Sequence, residues 1–260
     1  HDGIVNNYET GSITGARHGI TGDGSITVFN EGVITGANGS GIGSDGTGMG
    51  VNFGTITGTA NLAYCDADPE CFGDGDGVDI DLTGTIYNYG VIQGTGSIGI
   101  KPGEFTPSKS EGIAFGGGFI RNGDADYENA LISGANNGIL VDDSNGGAAF
   151  AETEIVNHGT IQGLDGFAIR LIGAWNDIVT NYGTIAGTSA ISVELGDGDD
   201  TFNWWGGSVT GIADGGDGAD TLNIDRPSDP DNRFLLDDGR FIDFEITAIT
   251  NGFIELGTYT

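Results

Sequence analysis

A seven-residue phrase, N-x-G-x-I-x-G, recurs along the chain: NEGVITG at 30–36, NFGTITG at 52–58, NYGVIQG at 88–94, NHGTIQG at 157–163 and NYGTIAG at 181–187. Looser copies surround Ile13, Ile132 and Val209. The aligned aliphatic residues Ile13, Ile34, Ile56, Ile92, Ile132, Ile161, Ile185 and Val209 stand 21, 22, 36, 40, 29, 24 and 24 residues apart. A base step with occasional insertions is the signature of a solenoid, whose units bury their apolar faces only against one another. Within the phrase, glycine on both sides of the aliphatic residue opposes a helix, and the Thr, Val and Ile content favours strand. Small or polar neighbours flank each central Ile, so it points to one face and they point to the other.

A second short strand is expected after the turn, at HGI 18–20, SGI 40–42, IGI 98–100, NGILV 137–141, FAIRL 167–171 and AISVEL 190–195. Two or three very short strands per turn, stacked about 4.8 Å apart, make a parallel β-helix with a column of Ile and Val at its centre. The sequence therefore predicts an all-β parallel β-helix over 1–225, with insertions at about 59–86 and 101–130. Residues 226–260 are expected to form a C-terminal cap or the last coils of the same solenoid. The Asn heading each phrase suits a corner, because it tolerates the left-handed region and bonds nearby backbone groups. Stacked Asn side chains are expected to run as a ladder through the coils.

Glycine supplies 51 of the 260 residues, which alone would suit a disordered chain; the periodic Ile column argues against that and assigns the glycines to corners. The charge is extreme, 38 acidic residues against 8 basic, for a net charge of −30. Phosphate contacts need Lys and Arg, so nucleic acid is excluded as a partner, and anionic lipid is disfavoured. No run of 18 apolar residues could form a transmembrane helix. The chain opens on His1 with no signal peptide in view, and we expect it to be a trimmed or processed piece of something larger.

Cys65 and Cys71 lie six apart in YCDADPECF and suit a small loop disulfide in an oxidising compartment; two free thiols or half a metal site are the alternatives. Just beyond them, Asp74, Asp76, Asp79 and Asp81 offer hard oxygen ligands for Ca²⁺, although the position where an EF-hand loop needs Glu holds Thr85. A solvated acidic loop entering a strand is the other reading. The more specific signal comes later. Residues 215–223, GGDGADTLN, fit the nonapeptide G-G-x-G-x-D-x-U-x throughout, and 195–203, LGDGDDTFN, fit it except at the first position. Such turns hold Ca²⁺ between successive coils. The copies start 20 residues apart, about one coil, which offers Asp197, Asp199, Asp200, Asp214, Asp217 and Asp220 to a shared ion. Otherwise these turns only shape a corner, with Asp capping backbone N–H groups.

Taken together, the N-x-G-x-I-x-G coils, LGDGDDTFNWWGGSVTG, GGDGADTLNID and the closing FIDFEITAITNGFIELGTYT resemble the passenger region of Gram-negative autotransporters, with turns like those of RTX proteins. The likeness covers nearly the whole chain. It implies a right-handed β-helix exported across the outer membrane and displayed at, or released from, the cell surface, with a membrane barrel in a downstream region beyond Thr260. Passenger activities are diverse, so the resemblance names no activity.

The expected function is a secreted or surface-displayed structural or adhesive module. Its partners would be surface glycans or proteins, or copies of itself, met through loops and exposed aromatics such as Trp175, Trp204 and Trp205. The alternative is a Ca²⁺-stabilised scaffold or filament subunit. A carbohydrate-active enzyme would need two placed carboxylates, for which Asp142–Asp143 or Asp199–Asp200 are the available pairs. No His/Asp constellation and no G-x-S-x-G site accompany them, so the chain is read as non-enzymatic with no catalytic residue.

Overall fold

The computed structural model describes residues 2–60, 75–100, 107–144, 146–226, 234–235, 239–251 and 254–255. The described residues contain strands and turns with no helix. They form an all-β parallel β-helix.

Ten short strands, from Gly3–Asn7 through Gly84–Asn88 to Ile246–Asn251, make one parallel sheet in which each strand pairs with its equivalents one coil before and after. The repeated phrase builds a second row. Here Ile13, Ile34, Ile56, Ile92, Ile132, Ile161, Ile185 and Val209 are direct register partners down the stack. A third row carries Ile20, Ile42, Val78, Ile113, Ile139 and Ile169 in register. Ten coils take nine steps of about 4.8 Å, so the rod is about 43 Å long.

The core is the interior column of these rows, and most of its Ile and Val side chains are fully buried. Where the first row carries Gly48 and Gly50 instead of an apolar side chain, Ile80 and Ile86 fill the space. The two expected insertions are narrower than their sequence irregularity suggests. Val78–Ile80, Ile113–Phe115 and Gly118–Asn122 lie inside them yet pair in register as ordinary coil strands. The short strand expected at 98–100 belongs to no third-row strand. Gly99 and Ile100 pair antiparallel with Ser108 and Pro107, in a ribbon that leaves the coil, and Ile113 takes the register position instead.

The Asn ladder is continuous. Asn7, Asn30, Asn52, Asn88, Asn122 and Asn157 each donate from Nδ2 to Oδ1 of the Asn one coil further on, ending at Asn181, at 2.7–2.9 Å. The same Nδ2 groups reach backbone carbonyls, as Asn88 does to Leu131 O at 3.0 Å. Two rungs, Asn7 and Asn122, stand outside the clear phrases. Asn129, which heads the loose copy before Ile132, is exposed on a bulge. Bonds to nearby backbone groups are present, as from Asn30 Nδ2 to Gly32 O at 3.2 Å, but the expected use of the left-handed region is corrected. Among the described residues only Ser144 and Asp243 are non-glycine residues with positive φ, so each ladder Asn sits in ordinary strand geometry. It is selected for its amide, which donates and accepts along the stack.

The ladder stops at Trp204, the register partner of Asn181. Its indole is 2% exposed, lies 5.3 Å from the Phe241 ring and carries the Arg226 guanidinium 4.3 Å above it. This corrects the expectation that Trp204 is an exposed aromatic like Trp175 and Trp205. Strand alternation turns it inward and leaves Trp205 outside, 38% exposed. Beyond it, Ile246–Asn251 pairs in parallel with Thr221–Asp225 as a further coil.

Candidate functional site

The two Gly-Asp turns fold as successive corners of the rod and stack directly. Gly198 N–H donates to Asp217 O at 2.9 Å and Asp217 N–H to Gly196 O at 3.2 Å. Glycine is required here. Gly216 has φ +96°, and a Cβ on it would run into the Gly196 carbonyl of the preceding corner.

The six Asp residues of the turns separate into three groups. Asp197, Asp214 and Asp217 line an open groove of about 520 Å³, together with Glu194, Asp243 and Glu245. Asp199 is exposed on the outer side, where its carboxylate accepts Ala219 N–H at 3.0 Å. Asp200 and Asp220 point inward and are 1% and 0% exposed.

These inward residues belong to a carboxylate column. Thr153 N–H donates to Asp177 Oδ1 at 2.6 Å, Asp177 N–H to Asp200 Oδ1 at 2.6 Å, and Asp200 N–H to Asp220 Oδ1 at 2.7 Å. Asp220 N–H closes the column on Glu245 Oε2 at 2.8 Å. Each carboxylate thus caps the backbone of the coil before it with one oxygen. The other oxygen of Asp200 and of Asp220 is buried without a hydrogen-bond partner, as is Asp214 Oδ1. Burial pushes the Asp200 carboxyl up to about 8, helped by the neighbouring Asp177, Asp220 and Asp199 charges. Burial likewise pushes Asp177 up to about 7, with Glu152 adding to it. Asp220 and Asp214 are raised by burial, Asp214 also by the facing Asp243.

Asp177 and Glu245 were not singled out from sequence. Their signal is position: Asp177, Asp200, Asp220 and Glu245 each immediately precede the first residue of a first-row strand. An acid there is placed to accept an N–H from the coil before.

Of the earlier acidic stretch, the described residues Asp76, Asp79 and Asp81 bond to different partners. Asp76 is buried at a corner, where Oδ1 accepts Glu111 N–H at 2.6 Å. Asp79 meets Ser40 Oγ from the outer face of a strand, and Asp81 meets Ser144 Oγ at the next corner. Asp74, Cys65 and Cys71 lie outside the described residues. Asp142 is a loop cap, accepting the N–H groups of Ser144 and Gly146 at 2.8 and 3.2 Å.

Hard carboxylate oxygens suit Ca²⁺, and the orphaned oxygens of Asp200, Asp220 and Asp214 are free to take an ion. Against this, no group of three His, Cys, Asp or Glu side chains among the described residues converges as a metal cluster. An ion here would need backbone carbonyls as well as carboxylates.

The fold and this corner define the class of the protein: a parallel β-helix repeat protein with an acidic end. Comparison of the chain with protein-family models, with curated proteins and with solved structures finds no match. Among the described residues no helix is long and apolar enough to cross a membrane.

Proposed function

We propose that this chain is a structural and adhesive rod, displayed on or released from the surface of a Gram-negative bacterium by the autotransporter route. The observation that carries this reading is the unbroken stack. The core column and the Asn ladder run through consecutive coils, so side chains at the corners are held at fixed intervals along a stiff axis. Such a scaffold presents many weak contacts at once, and linked contacts gain affinity without a deep pocket. The resemblance of its repeats to autotransporter passengers supports the export route.

The test is adhesion of protein-coated beads to cells and glycan surfaces, with sedimentation of the free protein to read self-association. Binding to at least one of these supports the reading. A monomer indifferent to cells, glycans and itself overturns it.

A second reading has its own observation. The buried, unpartnered oxygens of Asp200 and Asp220 favour a Ca²⁺-stabilised scaffold. At millimolar Ca²⁺, sites of about 10⁻⁴ M affinity would add about 1–2 kcal/mol each. Melting in EDTA and in Ca²⁺ decides it, and equal melting temperatures remove it.

A further inference from the structure

The variable residue of N-x-G forms a column of its own. Its backbone N–H is tied to the ladder Asn of the preceding coil: Phe53 to Asn30 O and Tyr89 to Asn52 O at 2.7 Å, His158 to Asn122 O at 2.7 Å, Tyr182 to Asn157 O at 2.8 Å and Trp205 to Asn181 O at 3.0 Å. The side chains therefore project from one edge of the rod at every coil. In the coil of Asn122 that position is Gly123, and the bulge after it supplies Tyr127 instead. Asp124 fixes the bulge by accepting the N–H groups of Asp126 and Tyr127 at 2.9 and 3.2 Å.

The result is a line of rings in two runs. Phe53 stacks on Tyr89 with centroids 4.8 Å apart, and Tyr127 lies 5.1 Å from Tyr89. His158 stacks on Tyr182 at 4.3 Å, and Tyr182 meets Trp205 at 5.7 Å. Phe53, Tyr127, Tyr182 and Trp205 remain 38–43% exposed. Mutual stacking explains the column but not why large rings occupy an outward position in so polar a chain. Tyr127 is inclined 56° to Tyr89, and Trp205 66° to Tyr182, so each run ends on a ring turned out of the stack.

We propose that this edge is a docking strip for a neutral, linear polysaccharide lying along the rod axis, an inference that rests on the adhesive reading above. The rings line one edge coil after coil, which suits an extended chain better than a single sugar. They recur at the coil step of about 4.8 Å, and Tyr127 and Trp205, turned out of their stacks, are the rings whose faces a sugar can meet. These two turned-out rings accept the apolar C–H face of a sugar, and the phenols of Tyr89, Tyr127 and Tyr182 offer donors and acceptors beside them. The charge selects the class of chain. The charges of Asp124, Glu128 and Arg121 act on the strip's Tyr89 and His158, on a molecule of net charge −30. Burial, and after it Arg121, lowers the pKa of His158, with Asp124 and Glu128 opposing. A polyanion is thereby repelled.

The test is native electrophoresis of the full chain through gels containing hydroxyethyl cellulose, galactomannan or alginate. The protein is expected to be retarded by at least one neutral polymer and not by alginate. Tyr182→Ala combined with Trp205→Ala should weaken the retardation at least tenfold, with circular dichroism and melting temperature reporting an intact fold. Tyr182→Phe with Trp205→Phe should retain it. If the double alanine variant does not fold, Tyr127→Ala on the exposed bulge is read instead and must weaken retardation. No retardation by either neutral polymer, stronger retardation by alginate, or a folded alanine variant that runs like the parent overturns the proposal. A rod whose alanine variants still adhere to cells as the parent does would sink the strip while leaving the adhesive reading intact.

Discussion

Asp200→Asn should make this protein more stable at high pH. In the folded chain Asp200 is 1% exposed, and burial raises its carboxyl from 3.8 to about 8. A raised pKa means that the folded state holds a proton the unfolded state has released. The stabilising contribution of that proton is complete below pH about 4, falls as pH rises from about 4 to about 8, and is gone above that. Raising the carboxyl from 3.8 to about 8 corresponds to about 6 kcal/mol, at about 1.4 kcal/mol for each tenfold change in proton affinity. The column relaxes together, because a proton on Asp177 or Asp220 relieves part of the same repulsion, so about 4 kcal/mol is expected from this single change. Asn is close in shape and can still accept Asp177 N–H through its own Oδ1, the bond Asp200 makes at 2.6 Å. Parent and variant should therefore unfold alike at pH 4, and the variant should be the more stable by about 4 kcal/mol at pH 9. Urea unfolding followed by tryptophan fluorescence reads the relevant coils, since Trp204 and Trp205 lie in the coil of Asp200. If the difference does not grow with pH, or if the variant is the less stable at pH 9, the column is not a store of buried charge. Ca²⁺ adds a second arm. On the scaffold reading, 1 mM Ca²⁺ raises the stability of the parent at pH 8 and leaves Asp200→Asn nearly unchanged.

Other perturbations reach the rest of the rod. Asn88→Ala removes the donor to Asn122 Oδ1 and to Leu131 O and leaves that buried Oδ1 short of a partner, so a loss of about 2–4 kcal/mol is expected in chemical denaturation. A loss under about 0.5 kcal/mol, typical of a surface site, would refute the ladder as a structural element. Gly207→Ala places a methyl group at φ +57° against the Gly183 carbonyl and should cost about 2 kcal/mol or more, whereas Gly3→Ala, with nothing within 4 Å, should be neutral; melting curves of the pair compare them. Trp204→Ala empties the site under Arg226 and beside Phe241 and should cost about 3–5 kcal/mol, lost first from the C-terminal coils in hydrogen exchange.

The sequence alone determined the solenoid, because a β-helix writes its period directly into the chain. All eight aligned aliphatics, from Ile13 to Val209, are register partners, since only a branched residue repeated once per coil continues a dry column. Five ladder rungs were legible for the same reason, and so was the stacking of the two Gly-Asp turns. Tertiary structure decided everything that depends on which way a side chain faces and on what lies one coil away. Asn122 is a rung although a bulge separates it from its phrase, because its strand, not its neighbours in sequence, sets its register. Trp204 and Trp205 are adjacent in sequence, yet one plugs the core and the other stands in solvent, since a strand alternates its faces. The six Asp residues of the turns look equivalent as text. Folding divides them among an open groove, an outer edge and a buried column, and recruits Asp177 and Glu245 from more than 20 residues away. A repeat fixes the distance between coils, but the burial and charge of any one side chain depend on neighbours that only the stacked rod brings within reach.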